Sequence, residues 1–403
     1  MSLFTRQVTC ACIILFAALM LSGCAQPDEV RPTSTPNSDS ATAQGPQPLI
    51  IWHGLPAAEG DTLQRIADRF VESNPEIAVQ IEAHDPSALL SAYESAVLGG
   101  AGPDILLGPA SWVEFLVGKG LIQPVSPELA QTMNDTLPAP VALGTQIAGT
   151  PFALPFSVEF ATLYVNRVLV AEPPQIWDQI ASAAQQRGLL VTPAFLVVSG
   201  LYFTSGAQLM SADGAPIATR QSVASFLEEL HTLARLPGVT VTTDLTSFTQ
   251  GEAGLLLASS NEYTALRAEL GEDLSVATLP RIPPKQWSTL LEFEVLIQSL
   301  NSTAEATAAT GAFAEFILSP DIQGIWFEET GHAPANPAGL SDGSLRSAWS
   351  TTLEWGVPAP LSSRFETEIR PALDRAVQAI MVDGAGVEDE AANIMAMLEG
   401  SAP

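Results

Sequence analysis

Short apolar runs alternate with amphipathic segments along the first third of the folded region. The run from Leu49 to Trp52 predicts a strand, and the residues from Asp61 to Ser73 place large apolar side chains at the spacing of a helix. The same reading predicts strands at 78–81 and 104–107 and helices at 87–98 and 111–117. Strands that alternate with helices indicate an α/β fold with mainly parallel sheets and flanking helices.

The pattern changes between Thr145 and Phe156, where Pro151 and Pro155 exclude a helix and predict an extended segment that crosses between two parts of the fold. Alternation then resumes. Strands are predicted at 160–165, 189–192, 254–258, 274–278 and 290–297, and helices at 177–187, 201–210, 222–236, 303–318, 365–381 and 387–398.

The N-terminus has a different pattern, in which Arg6 precedes an apolar run from Val8 to Leu21. That run is too short to cross a bilayer but suits a secretory signal. The residues Leu21-Ser22-Gly23-Cys24 that follow resemble a bacterial lipobox. We therefore predict that residues 1–23 are a lipoprotein signal peptide and that Cys24 is lipidated. The alternative is a cleaved secretory signal in which the cysteine is incidental.

The number and positions of the cysteines support lipidation of Cys24. Cys10 and Cys12 lie inside the predicted signal, so Cys24 is the sole cysteine left after cleavage and no intramolecular disulfide can form. A lone thiol in an oxidising compartment is better explained if it is acylated. Residues 24–48 are rich in Pro, Ser, Thr, Gln and Asn and are predicted to be a disordered tether. About 350 residues remain, enough for two domains.

The charge balance excludes some partners. The chain has 16 basic and 44 acidic residues, a net charge of −28. Such acidity argues against nucleic acid and against direct adsorption to anionic lipid. Catalytic motifs such as Gly-x-Ser-x-Gly and His-Glu-x-x-His are missing from the sequence, and its four histidines show no metal-ligand spacing. We therefore expect a protein that is not an enzyme and that uses no cofactor or metal.

Several short motifs follow one another between Leu49 and Leu398. They are Ile51-Trp52-His53, Gly99-Gly100-Ala101-Gly102-Pro103-Asp104-Ile105, Leu163-Tyr164-Val165-Asn166, Pro173-Pro174-Gln175-Ile176-Trp177-Asp178 and Gly331-His332-Ala333-Pro334-Ala335. In this order and behind a lipobox, they resemble the maltose-binding-protein-like family 1 solute-binding proteins of ABC importers. Ile176 stands where that family usually has threonine.

The resemblance implies a two-lobe periplasmic-binding-protein fold of type II, with hinge crossings and a ligand cleft between the lobes. It places 49–157 and about 291–338 in an N-terminal lobe, and 158–290 and about 339–403 in a C-terminal lobe. It also implies that an exported, monomeric lipoprotein captures a mono- or oligosaccharide and delivers it to ABC permease subunits. The lipid on Cys24 would hold it on the outer face of the cell membrane, or on the periplasmic side in a two-membrane cell.

Sugars combine apolar C–H faces with many hydroxyls, so their sites need aromatic platforms and polar side chains. By resemblance, the cleft is expected to be lined by Trp52, His53, Glu59, Ser111, Trp112, Glu159, Tyr202, Asn261, Glu262, Glu292, Phe365 and Glu366. Trp112 is the preferred aromatic platform. Trp52 can instead end a core strand, His53 can be a hydrogen-bonded loop residue, and Glu159 can form a salt bridge at a sheet edge.

Glu292 and Glu294 share one face of an apolar predicted strand, where the resembled family is usually rich in glycine. Arginine and lysine are missing from the expected contacts, so an anionic ligand is not expected. The acidic set leaves two alternatives open. One is a cationic solute such as an amino sugar or polyamine. The other is an extracytoplasmic glycoside hydrolase, although i, i+2 spacing on one strand does not give the carboxylate separation that such catalysis needs.

Overall fold

The structure of the protein, a computed structural model, describes residues 48–211 and 215–400. The predicted signal peptide, Cys24 and residues 24–47 of the predicted tether lie outside these ranges. Within them, no helix has both the length and the apolar character needed to cross a membrane.

Apart from the short strands at 239–241 and 357–358, which the sequence pattern does not predict, and those within 146–159, where it predicts only an extended segment, the strands of the described residues fall within a few residues of the predicted positions. They are β1 Leu49–His53, β2 Val79–Ala83, β3 Ile105–Pro109, β4 Gln146–Ile147, β5 Thr150–Pro151, β6 Leu154–Glu159, β7 Ala161–Asn166, β8 Leu189–Val191, β9 Val239–Val241, β10 Leu255–Ser259, β11 Leu274–Ala277, β12 Leu290–Gln298 and β13 Val357–Pro358.

Helices lie between most of these strands and cover the sheets. They are α1 Ala57–Ser73, α2 Leu89–Leu98, α3 Val113–Gly118, α4 Pro127–Thr136, α5 Ala139–Leu143, α6 Ile180–Arg187, α7 Phe195–Val198, α8 Gly200–Phe203, α9 Arg220–Ala234, α10 Thr246–Thr249, α11 Tyr263–Leu270, α12 Ala304–Leu318, α13 Pro320–Thr330, α14 Gly343–Trp355, α15 Arg370–Gln378 and α16 Val387–Gly400. The π-helical turns Phe365–Ile369 and Ala379–Asp383 flank α15.

Two sheets carry the fold, and each combines parallel with antiparallel pairs. The first has the order β13-β12-β3-β1-β2, with β6 also paired to β12; β1 is parallel to β2 and β3, whereas β12 is antiparallel to β3 and β6. The second has the order β11-β7-β10-β8-β9, in which β8 is parallel to β9 and β10 while β7 is antiparallel to β10 and β11. The α/β class is confirmed.

Each sheet has its own hydrophobic core, and the chain passes between the two cores within single peptide bonds. Phe160 belongs to the first core and Ala161 to the second, while Leu290 belongs to the second and Leu291 to the first. These crossings occur where β6 leads into β7 and near the start of β12. The neighbouring strands β6 and β12 therefore share the boundary between the cores.

Three buried residues of helix α14, Leu345, Trp349 and Leu353, belong to the first core, and the helix also packs against β11 of the second sheet. Its Trp349 makes edge-to-face contacts with Phe160, Tyr263 and Phe327, with ring centroids 5.4–5.7 Å apart. These aromatic rings come from distant parts of the chain. Local patterning within α14 therefore could not reveal the packing.

The helices differ from the sequence prediction in several places, since α4, α5, α7, α10, α11, α13 and α14 are not among the predicted helices. The predicted helix at 201–210 is limited to α8, because Gly206 has a φ of +91° and the Ser205 hydroxyl accepts a hydrogen bond from the Ala207 N–H. Helix α13 begins at Pro320 directly after α12, because the missing N–H of proline costs nothing in a first helical turn.

Candidate functional site

A cavity of about 390 Å³ lies at the boundary between the two cores. Its walls come from the start of α1, the turn after β3, the neighbouring strands β6 and β12, the end of α13, and the segment that leads from β13 into α15. The two strands that cross between the cores therefore form part of its surface. A ligand held here would contact both parts of the molecule.

Seven of the predicted site residues line this cavity. They come from segments that are far apart in the sequence: Glu59, Ser111, Glu159, Asn261, Glu292, Phe365 and Glu366. Glu59 lies in the first turns of α1, and Ser111 follows the C-terminal end of β3. The ends of parallel strands are where open α/β sheets place their ligands, which explains the position of Ser111.

Two residues predicted for the site, a tryptophan and a histidine of β1, do not line the cavity. The Trp52 ring packs 4.1 Å from the His84 ring, on the side of the sheet near β2. His53 is 3% exposed, and its Nδ1 accepts a hydrogen bond from the Leu55 N–H at 3.1 Å. Burial lowers the pKa of His53, and the neighbouring His84 lowers it further. These interactions match the alternatives of a core-strand tryptophan and a loop histidine.

The remaining three predicted residues are also absent from the cavity wall. The Trp112 ring covers Gly108, where an added Cβ would lie 2.5 Å from the indole. The residue expected to be the aromatic platform therefore packs against the end of the preceding strand, β3. Tyr202 is 1% exposed within the second core, and its hydroxyl donates to the Gln208 carbonyl at 3.0 Å. Glu262 lies near Tyr164, the pKa of which is raised by burial first and by this carboxylate second.

The structure adds lining residues that were not predicted, and one of them corrects the expectation of a site without basic residues. Arg370, at the start of α15, lies in the cavity wall. Its Nε is 2.9 Å from Glu292 Oε1, and its Nη1 donates to Glu366 Oε1 at 3.3 Å. The i, i+4 spacing of Glu366 and Arg370 is visible in the sequence and could have suggested this residue.

Burial controls the ionisation of Glu292. It raises the pKa of Glu292 to about 8, although Arg370 lowers it, while Glu159, Glu366 and Asp374 add to the rise. Glu159 lies opposite Glu292 in the antiparallel pair of β6 and β12. The Glu159 carboxylate also accepts a hydrogen bond from the Ser259 hydroxyl at 2.6 Å. Two carboxyl groups therefore face one another across the crossing strands.

Glu294 has charged neighbours of its own. The sequence singles it out because it shares one face of β12 with Glu292. Burial raises the pKa of Glu294 to about 7; His332 lowers it and Glu59 raises it. His332 Nε2 lies 3.2 Å from Glu59 Oε1, and this hydrogen bond is the main reason that the pKa of His332 is raised. The His332 ring also stacks on Trp326, with centroids 6.1 Å apart.

Several polar atoms at the cavity wall lack a hydrogen-bond partner in the described part of the chain. Apart from Glu292 Oε1 and Arg370 Nε, which lie 2.9 Å from each other as an ion pair, they are Ser111 Oγ, Asn261 Oδ1 and Trp326 Nε1. A buried polar atom without a partner costs about 1–3 kcal/mol, so these atoms are free to bind a ligand. Phe293 and Phe365 add apolar surface beside them. The wall can therefore bind a molecule that has both hydroxyl groups and an apolar face.

The described residues contain no group of three or more His, Cys, Asp or Glu side chains arranged to hold a metal ion. The family comparison settles the class of protein: residues 65–348 match the model of the bacterial extracellular solute-binding proteins. The chain belongs to this family.

Solved structures confirm the fold of this solute-binding protein. The cyclic α-maltosyl-1,6-maltose binding protein from Arthrobacter globiformis is 20% identical with a TM-score of 0.71, over 89% of this chain and 100% of that one. The maltose-maltodextrin binding protein of Alicyclobacillus acidocaldarius is 19% identical with a TM-score of 0.65, over 88% and 100%. The predicted two-lobe, type II periplasmic-binding-protein fold is thus confirmed.

A curated relative of this solute-binding protein is the maltotriose-binding protein of Pyrococcus abyssi. It is 22% identical over 138 residues, which are 34% of this chain and 30% of the relative. The matched segment thus spans less than a third of the relative's length.

Proposed function

We propose that this solute-binding protein captures a carbohydrate, a mono- or oligosaccharide, in the cavity between its two cores and delivers it to the permease subunits of an ABC importer. The observation that carries the proposal is the composition of the cavity wall. Unpartnered polar atoms on Ser111, Asn261 and Trp326 stand beside the apolar rings of Phe293 and Phe365. This combination fits the hydroxyls and the C–H faces of a sugar. The sugar-binding names of the structural relatives support it.

The crossings between the cores suit a hinge. The chain changes core at Phe160–Ala161 and at Leu290–Leu291, and both points adjoin cavity residues, Glu159 and Glu292. A rotation at these points would close the cavity on a ligand, and the closed form would be the one that the permease recognises. We propose that Glu59, Ser111, Glu159, Asn261, Glu292, Phe365 and Glu366 contact the ligand together with Arg370 and Trp326.

Export and anchoring form the remaining part of the proposal. Membership of an extracellular family supports export, and the lipobox-like residues before Cys24 support a lipid anchor. The protein would act as a monomer that is held on the outer face of the cell membrane by this lipid, and that shuttles its ligand without catalysis.

A binding assay on the full chain in detergent tests the proposal. Mono- and oligosaccharides should raise the melting temperature, because a ligand that binds the native state stabilises it by mass action. Each sugar is analysed for cleavage products after the same incubation. Asn261→Ala should reduce the rise, whereas Asn393→Ala, at an exposed position on α16, should not. If no sugar stabilises the protein, the carbohydrate assignment fails; if a sugar is cleaved, the binding-only role fails.

A further inference from the structure

The cavity contains more carboxyl groups than cations to balance them. Five glutamates line it, at positions 59, 159, 292, 294 and 366, against Arg370 and His332. Arg370 is shared between Glu292 and Glu366, and His332 hydrogen-bonds to Glu59. If all these groups are ionised, three negative charges remain without a counter-charge. Unpaired charge in a partly buried site is costly, so the cavity favours either protons or a bound cation.

Three of the carboxyl groups converge from two neighbouring strands. Glu292 and Glu294 project from one face of β12, and Glu159 lies opposite Glu292 on β6, with Ser157 opposite Glu294. Ionised carboxylates only accept hydrogen bonds, and an alkylammonium group only donates them, up to three at a time. Hydrogen bonds between two such groups are about twice as strong as neutral ones. The strand face is therefore matched to an ammonium group.

A second observation, independent of the acidic residues, also indicates a ligand with hydrogen-bond donors. Ser111 is 9% exposed, and its Oγ has no partner among the described residues although it lines the cavity. Asn261 Oδ1, an acceptor, is unpartnered at the same wall. The ring of Trp326 packs against Phe156 and His332, and its Nε1 at the same wall has no partner among the described residues.

Arg370 does not make the cavity an anion site. Its guanidinium already contacts the carboxylates of Glu292 and Glu366. An anionic ligand would have to displace both carboxylates from the guanidinium and would leave them beside it without a cation, and like charges close together repel one another. A cation meets no such obstacle.

We propose that the ligand of this cavity is a carbohydrate that carries a protonated amino group, an amino sugar; this rests on the proposed function. The ammonium group lies against Glu159, Glu292 and Glu294. The hydroxyls of the ring are bound by Ser111, Asn261 and Trp326. A simple polyamine would supply the charge but would leave the indole N–H of Trp326 without an acceptor.

Binding of the ammonium group is coupled to proton release. Without ligand, burial raises the pKa of Glu294 to about 7 and that of Glu292 to about 8, so at pH 6.5 Glu292 is largely protonated and Glu294 is partly protonated. The groups that face Glu292 are Arg370, Glu159, Glu366 and Asp374, and those that face Glu294 are His332 and Glu59. A bound cation stabilises both carboxylates, and the displaced protons pass to the buffer.

The test is isothermal titration calorimetry on the full chain in detergent at pH 6.5. Three matched sugars are compared: one with a free amine, one with the amine acetylated and one with a hydroxyl in place of the amine. Each is tested as a monosaccharide and as a disaccharide. The amine should bind roughly tenfold to a hundredfold more tightly, the range for a charge-assisted hydrogen bond. Its heat should depend on the ionisation enthalpy of the buffer, as proton release requires, and the heat of the neutral sugars should not.

Substitutions of single glutamates test which carboxyl groups bind the ammonium group. Glu294→Gln and Glu292→Gln should each lower the ratio of amine to hydroxyl affinity and the number of protons released. Glu72→Gln, at an exposed position of α1, should leave both unchanged. Equal or tighter binding of the neutral sugars overturns the inference but leaves the proposed function standing. Binding of spermidine, with no binding of any sugar, overturns the proposed function itself. Binding of no probe overturns both.

Discussion

Arg370 Nε lies 2.9 Å from Glu292 Oε1, and this contact joins the start of helix α15 to strand β12 in the cavity wall. The two side chains are 27% and 17% exposed, so water screens them only in part. The pair lies next to the crossing at Leu290–Leu291, where β12 passes from one core to the other. It therefore connects the ligand cavity to the part of the chain where a hinge is proposed.

The first prediction concerns this pair. Above the pKa of Glu292, Arg370→Met should lower the free energy of unfolding by about 2 kcal/mol, because it leaves the ionised Glu292 in a poorly solvated position without its cation. The measurement is urea denaturation at pH 9. Arg375→Met, exposed on the same helix, should change the value by less than about 0.5 kcal/mol. Equal effects of both substitutions would show that the Glu292 contact contributes nothing.

The second prediction is a pH dependence. Glu292 and Glu294 have an ordinary pKa of 4.5, and burial raises it to about 8 and about 7 in the folded protein. Between these values the folded protein binds more protons than the unfolded chain does, so the contribution of these groups to stability is lost as pH rises from about 4.5 to about 8. The double variant Glu292→Gln/Glu294→Gln should flatten this fall, measured as the urea midpoint from pH 5 to 8.

The matched control for this pH dependence is Glu72→Gln/Glu76→Gln, which changes two exposed carboxylates of the first part of the chain. Its urea midpoints should follow those of the unaltered protein at every pH. A double variant in β12 that keeps the full slope would show that neither strand carboxyl holds its proton in the folded state.

The third prediction separates binding from stability at Ser111. Ser111→Ala should leave the melting temperature of the free protein unchanged or raise it slightly, because the buried Oγ has no partner to lose. It should weaken sugar binding by roughly tenfold, the value of one lost hydrogen bond. Ser199→Ala is the counterpart, because Ser199 Oγ donates to Leu196 and accepts from Leu290 N–H at 2.9 Å. It should lower the melting temperature of the free protein.

The fourth prediction concerns two helical glycines. A Cβ at Gly200 would overlap the buried indole of Trp287, so Gly200→Ala should lower the free energy of unfolding by about 3 kcal/mol. Gly311, within α12, has no atom near the place of an added Cβ. Gly311→Ala should therefore stabilise the protein by about 0.5–1 kcal/mol through the higher helix propensity of alanine. Chemical denaturation measures both, and effects of the same sign would contradict the packing at Trp287.

The fifth prediction tests the anchor. Cys24→Ala should abolish incorporation of labelled fatty acid and shift the protein from the membrane fraction to the soluble fraction, because the lipid supplies the apolar surface that holds it there. Cys12→Ala, within the apolar run of the predicted signal, should leave labelling and fractionation unchanged. Labelled Cys24→Ala protein would rule out this cysteine as the acylated residue.

Strand and helix positions were largely predictable because they follow local periodicity. Buried β1 residues such as Ile51 and the α1 stripe that includes Phe70 show the spacing of their element directly in the sequence. The site was less predictable. Trp112 follows a strand end, as ligand-contacting residues often do, but its ring is held over Gly108 by a local contact that spacing does not reveal.

The sequence by itself determined the α/β class, the family resemblance, the secretory and lipobox-like start, and the unusual pair Glu292 and Glu294, since each depends on residues that are close together along the chain. Only the tertiary structure decided that Arg370 and His332 join the acidic residues, and that Tyr202 is buried in the second core. The reason is that a cavity between two cores is formed by segments far apart in sequence. Their proximity depends on strand order and on the crossings at Phe160–Ala161 and Leu290–Leu291, which no local pattern contains.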